Sequence, residues 1–127
     1  MSVLLAPTDI RTVWSELKPE LEQLKKWGPY SRWIPEDVYA DCRHGAALLF
    51  YEAPNFIVVK DEVEAISGRR ILWVWLAKGR GVIEMQPRLD AFARNQGYDE
   101  IRFTSPRRGW ERTPGWQMIE TTYRREL

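Results

Sequence analysis

The sequence predicts an α+β fold: two N-terminal helices, an antiparallel meander, a glycine loop into a long helix, a parallel strand, a short helix and a closing strand. Three observations carry this. Arg70 to Ala77 is a run rich in Trp, Ile and Val, followed at once by Lys78-Gly79-Arg80-Gly81 and then by a segment with helical apolar spacing. Upstream lie two more β-prone runs, and the three are joined by links too short for anything but antiparallel neighbours. Ahead of those, apolar residues recur every three or four positions, as on one face of a helix.

The first helix is expected from Asp9, with Thr8 or Asp9 as N-cap and Ile10, Val13, Trp14 and Leu17 on one face. Pro19 removes a donor and clashes with the preceding turn, so the helix should stop at Leu17. A second helix, or a sharp kink, should then carry Leu21, Leu24 and Trp27 to Gly28-Pro29. After the aromatic link from Tyr30 to Ile34, Pro35 at the first helical position and Glu36 and Asp37 in the first turn announce a helix that ends before Gly45. Cys42 and His44 lie two apart on it, facing different ways, so Cys42 is read as a small buried residue and His44 as a helix-end cation, not as metal ligands.

Ala47 to Glu52 and Phe56 to Lys60 read as a hairpin closed by Ala53-Pro54-Asn55, and Asp61 to Arg69, with Ser67-Gly68, reads as the polar turn into the strand at Arg70. Val82, Met85, Leu89, Phe92 and Ala93 mark the buried face of the long helix, which runs to Gln96, with Gly97 as its stop. Only this connection is long enough for a parallel crossover to the strand Glu100 to Thr104. Ser105-Pro106 then caps a short helix holding Arg107, Arg108, Trp110 and Arg112, and a half-exposed strand runs from Trp116 to about Tyr123.

Length and composition bound the function. With 127 residues, 44% hydrophobic, one domain over 1–127 with a real core is expected. The 19 basic and 18 acidic residues leave a net charge of +1, which gives no global drive toward nucleic acid or anionic lipid. One Cys excludes an internal disulfide framework and suits a reducing cytoplasm, and one His leaves no set of soft metal ligands. MSVLLAPTD carries neither a basic leader nor a long apolar run, so no signal peptide or membrane anchor is expected.

Where a strand ends in glycines that open a helix, free backbone amides meet the positive end of the helix dipole, and the cradle suits phosphate. Gly79, Arg80 and Gly81 would supply the amides, with Lys78 and Arg80 adding charge; a simple tight turn is the alternative.

The element order resembles that of the GNAT (Gcn5-related N-acetyltransferase) superfamily over nearly the whole chain. That family's acyl-CoA loop reads Gln or Arg, two residues, Gly, one residue, Gly or Ala. Leu76-Ala77-Lys78-Gly79-Arg80-Gly81 matches both glycines and places Leu76 where Gln or Arg is usual. Gly115-Trp116 is similar to the Gly-aromatic pair at the family's return to the sheet. Within the superfamily, Arg107-Arg108-Gly109-Trp110-Glu111-Arg112, with Ala93 to Gly97 upstream, resembles small GNAT-like proteins of tailed bacteriophages, some of which are carried in the virion.

The resemblance implies an acyl-CoA-dependent N-acyltransferase binding acetyl-CoA or CoA through Leu76, Lys78, Gly79, Arg80 and Gly81. Its catalytic apparatus reads as degenerate. The family often has a Glu on the strand before the loop, and Ile71 to Trp75 contain no titratable group; where a Tyr acid is usual, Trp110 stands. Glu52, Glu62 and Tyr123 remain as catalytic candidates. The alternative is a non-catalytic bacteriophage protein, a virion component or protein-binding module, with Arg107, Arg108, Trp110 and Arg112 as its contacts. Nucleic acid is a lesser partner for the same arginines.

Overall fold

The structure, a computed structural model, describes residues 4–27 and 32–104 and, beyond them, Arg112, Gly115, Trp116, Gln117, Arg125 and Leu127. Its elements are α1 (Ile10–Trp27), α2 (Pro35–Arg43), β1 (Ala47–Glu52), β2 (Asn55–Val63), β3 (Arg70–Lys78), α3 (Val82–Asn95) and β4 (Glu100–Phe103). The four strands form one sheet in the order β1-β2-β3-β4, antiparallel except for the parallel β3–β4 pair.

Each helix starts where its local chemistry places it. The Asp9 carboxylate accepts the Arg11 backbone N–H at 3.0 Å, satisfying one orphan donor of α1. At α2, Asp37 Oδ2 accepts the Ile34 N–H at 2.9 Å, and Pro35 occupies a position whose N–H would have had no partner.

The expected stop at Leu17 is not seen: α1 is a single helix that continues through Pro19. A proline inside a helix costs about 3 kcal/mol. On the opposing side, Leu17 and Leu21, one turn apart across Pro19, are both fully buried, and each such side chain contributes about 1.5–3 kcal/mol. Packing offsets the local defect, and Pro19 itself is exposed.

Two further boundaries differ. β2 extends past Lys60 to Val63, because Asp61, Glu62 and Val63 pair with Leu72, Ile71 and Arg70 although the polar Asp61 and Glu62 read as the start of a turn. The link from β1 to β2 is only Ala53-Pro54, since Asn55 already pairs with Glu52. The strand expected from Trp116 to Tyr123 lies largely outside the described residues, and Trp116 and Gln117 are not in a strand.

The sheet has a core on each face. Ile10, Leu17 and Leu21 of α1 and Val38 of α2 pack on Leu49, Phe56, Val58 and Leu76. On the opposite face, Met85, Leu89, Phe92 and Ala93 of α3, with Leu5, cover Phe50, Ile57, Val59 and Leu72. Cys42 is half-buried rather than fully buried, and burial pushes its thiol up to about 11.

Candidate active site

The site is built at the end of β3. The parallel ladder with β4 runs only from Ile71↔Glu100 to Val74↔Phe103, whereas β3 continues to Lys78 against β2. The backbone of Trp75, Leu76 and Ala77 therefore has no β4 partner, and among the described residues this leaves a gap beside β3. A bulge falls at the same place. Val58 opposes Leu76 and Val59 opposes Val74, so Trp75 is the extra residue. In consequence Trp75 and Leu76 both pack with the α1/α2 face, while Val74 and Ala77 pack with α3.

The glycine loop follows. Gly79 takes φ +113°, a conformation that side-chain-bearing residues rarely adopt. Gly81 has an ordinary helical φ of −75° and caps α3, with its carbonyl accepting the Met85 N–H at 3.1 Å. Its own N–H is engaged: it donates to Asn55 Oδ1, at the start of β2, at 3.0 Å. Both glycines are needed for this approach, because a Cβ on Gly79 would lie 2.1 Å from Asn55 Oδ1 and one on Gly81 would lie 2.4 Å from Asn55 Nδ2.

Two of the expected phosphate donors are thus employed otherwise. The Gly81 amide serves Asn55, and the Lys78 ammonium turns to α1, where it donates to the carboxylate of Glu20 and, at 2.7 Å, to Gln23. Leu76 places its side chain in the α1/α2 core, so only its backbone can face the gap. No acceptor among the described residues takes the amides of Arg80, Ile83 and Glu84, and the exposed Arg80 side chain has no ion-pair partner there.

On the α1/α2 face two hollows, of about 420 and 440 Å³, meet at Lys60 and Trp75. Glu62, Trp73 and Thr104 line the first; Trp33, Asp37 and Asp41 line the second. Lys60 Nζ sits 3.7 Å from the Trp75 ring centroid and 3.1 Å from Asp41 Oδ2, and Trp33 meets Trp75 edge-on at 6.5 Å. The Trp73 indole N–H donates to the Glu62 carboxylate, which fixes that acid on the wall of the groove beside the bulge. At the mouth of the strand gap Trp116 packs edge-on against Phe103, ring centroids 4.8 Å apart.

The structure separates the catalytic candidates. Glu62 is in the groove. Glu52 lies at the hairpin end in a two-pronged pair with Arg88, at 2.8 and 2.6 Å, whose hydrogen bond holds its carboxyl below the ordinary value, a poor setting for taking up a proton near neutrality. Tyr123, Arg107, Arg108 and Trp110 fall outside the described residues, and Arg112 is exposed. Sequence reading missed Asn55 and Lys60. A Pro-Asn pair between strands signals only a turn, and the pairing of Lys60 with Trp73 is a matter of register. Among the described residues no group of three or more His, Cys, Asp or Glu could hold a metal, and no helix is long and apolar enough to cross a membrane.

No family model matches the chain, and no curated protein sequence matches it. Solved structures do. A probable acetyltransferase superposes with a TM-score of 0.69 at 10% identity, covering 96% of this chain and 95% of its own. A ribosomal-protein-alanine N-acetyltransferase from Brucella melitensis biovar Abortus 2308 gives 0.68 at 15% identity, covering 96% of each chain. The aminoglycoside N-acetyltransferase AAC(6')-Iy, solved in complex with CoA, gives 0.55 at 16% identity, covering 92% of this chain and 96% of its own. Three helices around a mixed four-stranded sheet, in this order and with this likeness, give the chain the α+β fold of the GNAT acetyltransferases.

Proposed function

We propose that the chain is an acyl-CoA-dependent N-acyltransferase with a reduced acid–base apparatus. The observation that carries this reading is the edge of β3 from Trp75 to Ala77, which has no strand partner among the described residues on the β4 side, is bulged at Trp75 and leads into the amino end of α3. Acyl-CoA would supply the activated acyl group as a thioester. The amides of Arg80, Ile83 and Glu84, at the positive end of the α3 dipole and next to the Arg80 guanidinium, suit its pyrophosphate. That edge of β3 suits the amides of its pantetheine arm, which can add to β3 as a short strand would. That a structure of the same fold contains CoA supports the choice of ligand.

The acceptor amine would enter the groove at Trp73 and Trp75, where the Glu62 carboxylate would be the base that receives its proton as the amine takes the acyl group and CoA leaves as the thiolate. Holding acceptor and acyl donor on the two sides of one bulged strand is the main contribution of the chain, since positioning alone supplies much of the barrier lowering in such transfers. The single Cys fits a reducing cytoplasm.

A second reading is favoured by a specific observation: the Gly81 amide and the Lys78 charge are already satisfied inside the chain. On that reading the protein is a non-catalytic GNAT-like bacteriophage protein, a virion component or protein-binding module, with Arg112 and its neighbours as contacts.

Calorimetric titration with acetyl-CoA and with CoA separates the two. The first reading expects saturable heat and a rise in Tm with ligand. No heat and an unchanged Tm at millimolar ligand would refute it and leave the second.

A further inference from the structure

We infer that Asn55 is the positioning residue of the loop between β3 and α3, and that this hairpin residue, not a phosphate, is what requires glycine at position 81. The argument rests on where Asn55 stands. It opens β2, the strand on the paired edge of β3, whereas the gap opens on the edge facing β4. The Gly81 N–H therefore points toward the hairpin, away from any ligand lying in the gap.

The carboxamide sits against both glycines. Its Oδ1 takes the Gly81 amide at 3.0 Å, and nearest-atom distances from an added Cβ are 2.1 Å at Gly79 and 2.4 Å at Gly81. Gly79 needs glycine twice over, since its φ of +113° is itself unfavourable and the Asn55 Cα would also be 2.9 Å away. Gly81 differs. Its backbone is ordinary, at φ −75°, and all three nearest atoms to an added Cβ, Nδ2, Cγ and Oδ1, belong to the Asn55 side chain.

The arrangement splits the loop's donors into two sets. The Gly81 amide ties the loop to the hairpin from behind, and the amides of Arg80, Ile83 and Glu84 remain for an anion in front. Asn55 thereby sets the orientation of a cradle that it never touches from the ligand side.

The test is a double-mutant cycle with Asn55→Ala and Gly81→Ala, read by Tm and by hydrogen exchange of the residue-81 amide. Gly81→Ala alone should lower Tm. Asn55→Ala alone should speed exchange at Gly81 about tenfold, the worth of one hydrogen bond, while Asn55→Asp, which keeps the acceptor oxygen, should leave exchange slow. The double variant should recover most of the Tm lost in Gly81→Ala. A double variant as unstable as the two losses added, or a Gly81 amide equally protected in Asn55→Ala, would overturn the inference.

These arms need no ligand, so they stand whether or not CoA binds. A further arm rests on the acyl-CoA reading: Asn55→Ala should weaken CoA binding several-fold and Asn55→Asp should restore part of it. If the parent binds CoA and Asn55→Ala binds it equally well, the positioning role fails and the ligand assignment does not.

Discussion

Replacing Lys60 with Met asks whether the floor of the groove is covered by the protein's own cation. Met keeps most of the aliphatic stem and removes the charge, so packing changes little. Two interactions are lost. A cation over an indole at a partly exposed site contributes about 0.5–1 kcal/mol, and Lys60 Nζ lies 3.7 Å from the Trp75 ring centroid. The ion pair with Asp41, 3.1 Å long with side chains 39% and 35% exposed, adds about 0–1 kcal/mol. The sum is about 0.5–2 kcal/mol. For a chain of 127 residues, each kcal/mol moves Tm by about 4 °C, so Lys60→Met should melt about 2–8 °C lower. Urea unfolding of Lys60→Met, Trp75→Leu and the double variant isolates the pair itself, whose coupling should be about 0.5–1 kcal/mol. A coupling indistinguishable from zero would mean that the ammonium does not rest on the ring, and the groove floor would then be bare indole.

Two further outcomes are expected, besides those given for CoA and for Asn55. Pro19→Ala should raise Tm, because it restores a donor in the middle of α1 at an exposed position; the gain is up to about 3 kcal/mol, and an unchanged or lower Tm would show that the helix is accommodated to proline. For Glu52, Arg88 lowers the folded carboxyl below its ordinary value of 4.5. Its contribution to stability is therefore complete above the unfolded value and is lost as pH falls through the folded one. Arg88→Met should accordingly flatten the acid limb of Tm against pH below about 5, and parallel curves for variant and parent would refute the assignment.

What was legible in the sequence follows from what is local. Pro35 with Glu36 and Asp37, the period of Met85, Leu89 and Phe92, and the stop at Gly97 are set by residues within one or two turns of each other, and each element stands where that chemistry puts it. Pro19 misled because its effect is local too, yet Leu17 and Leu21 are buried by strands far along the chain. The site was legible only as a place. Gly79 and Gly81 mark it correctly as a tight approach to the start of α3, but the approaching group is Asn55, separated from Gly81 by most of the meander. Likewise Glu62 carries no sign in sequence that Trp73 will meet it, since that depends on the register between β2 and β3.

The supernumerary residue in β3 has an implication for how the chain tolerates insertion and deletion. Removing Trp75 would let the strand close up as an unbroken ribbon with Val74 still opposite Val59 and Leu76 still opposite Val58, because the bulge sets two residues of β3 against one of β2. Gly79 and Gly81 would then keep their places against Asn55, and the loss would be the indole on which Lys60 rests. The phase slip at Trp75 thus adds one aromatic side chain to the groove without disturbing the register that brings two small residues to the hairpin, so a chain one residue shorter there should keep its turn, whereas a deletion between Leu76 and Gly79 should not.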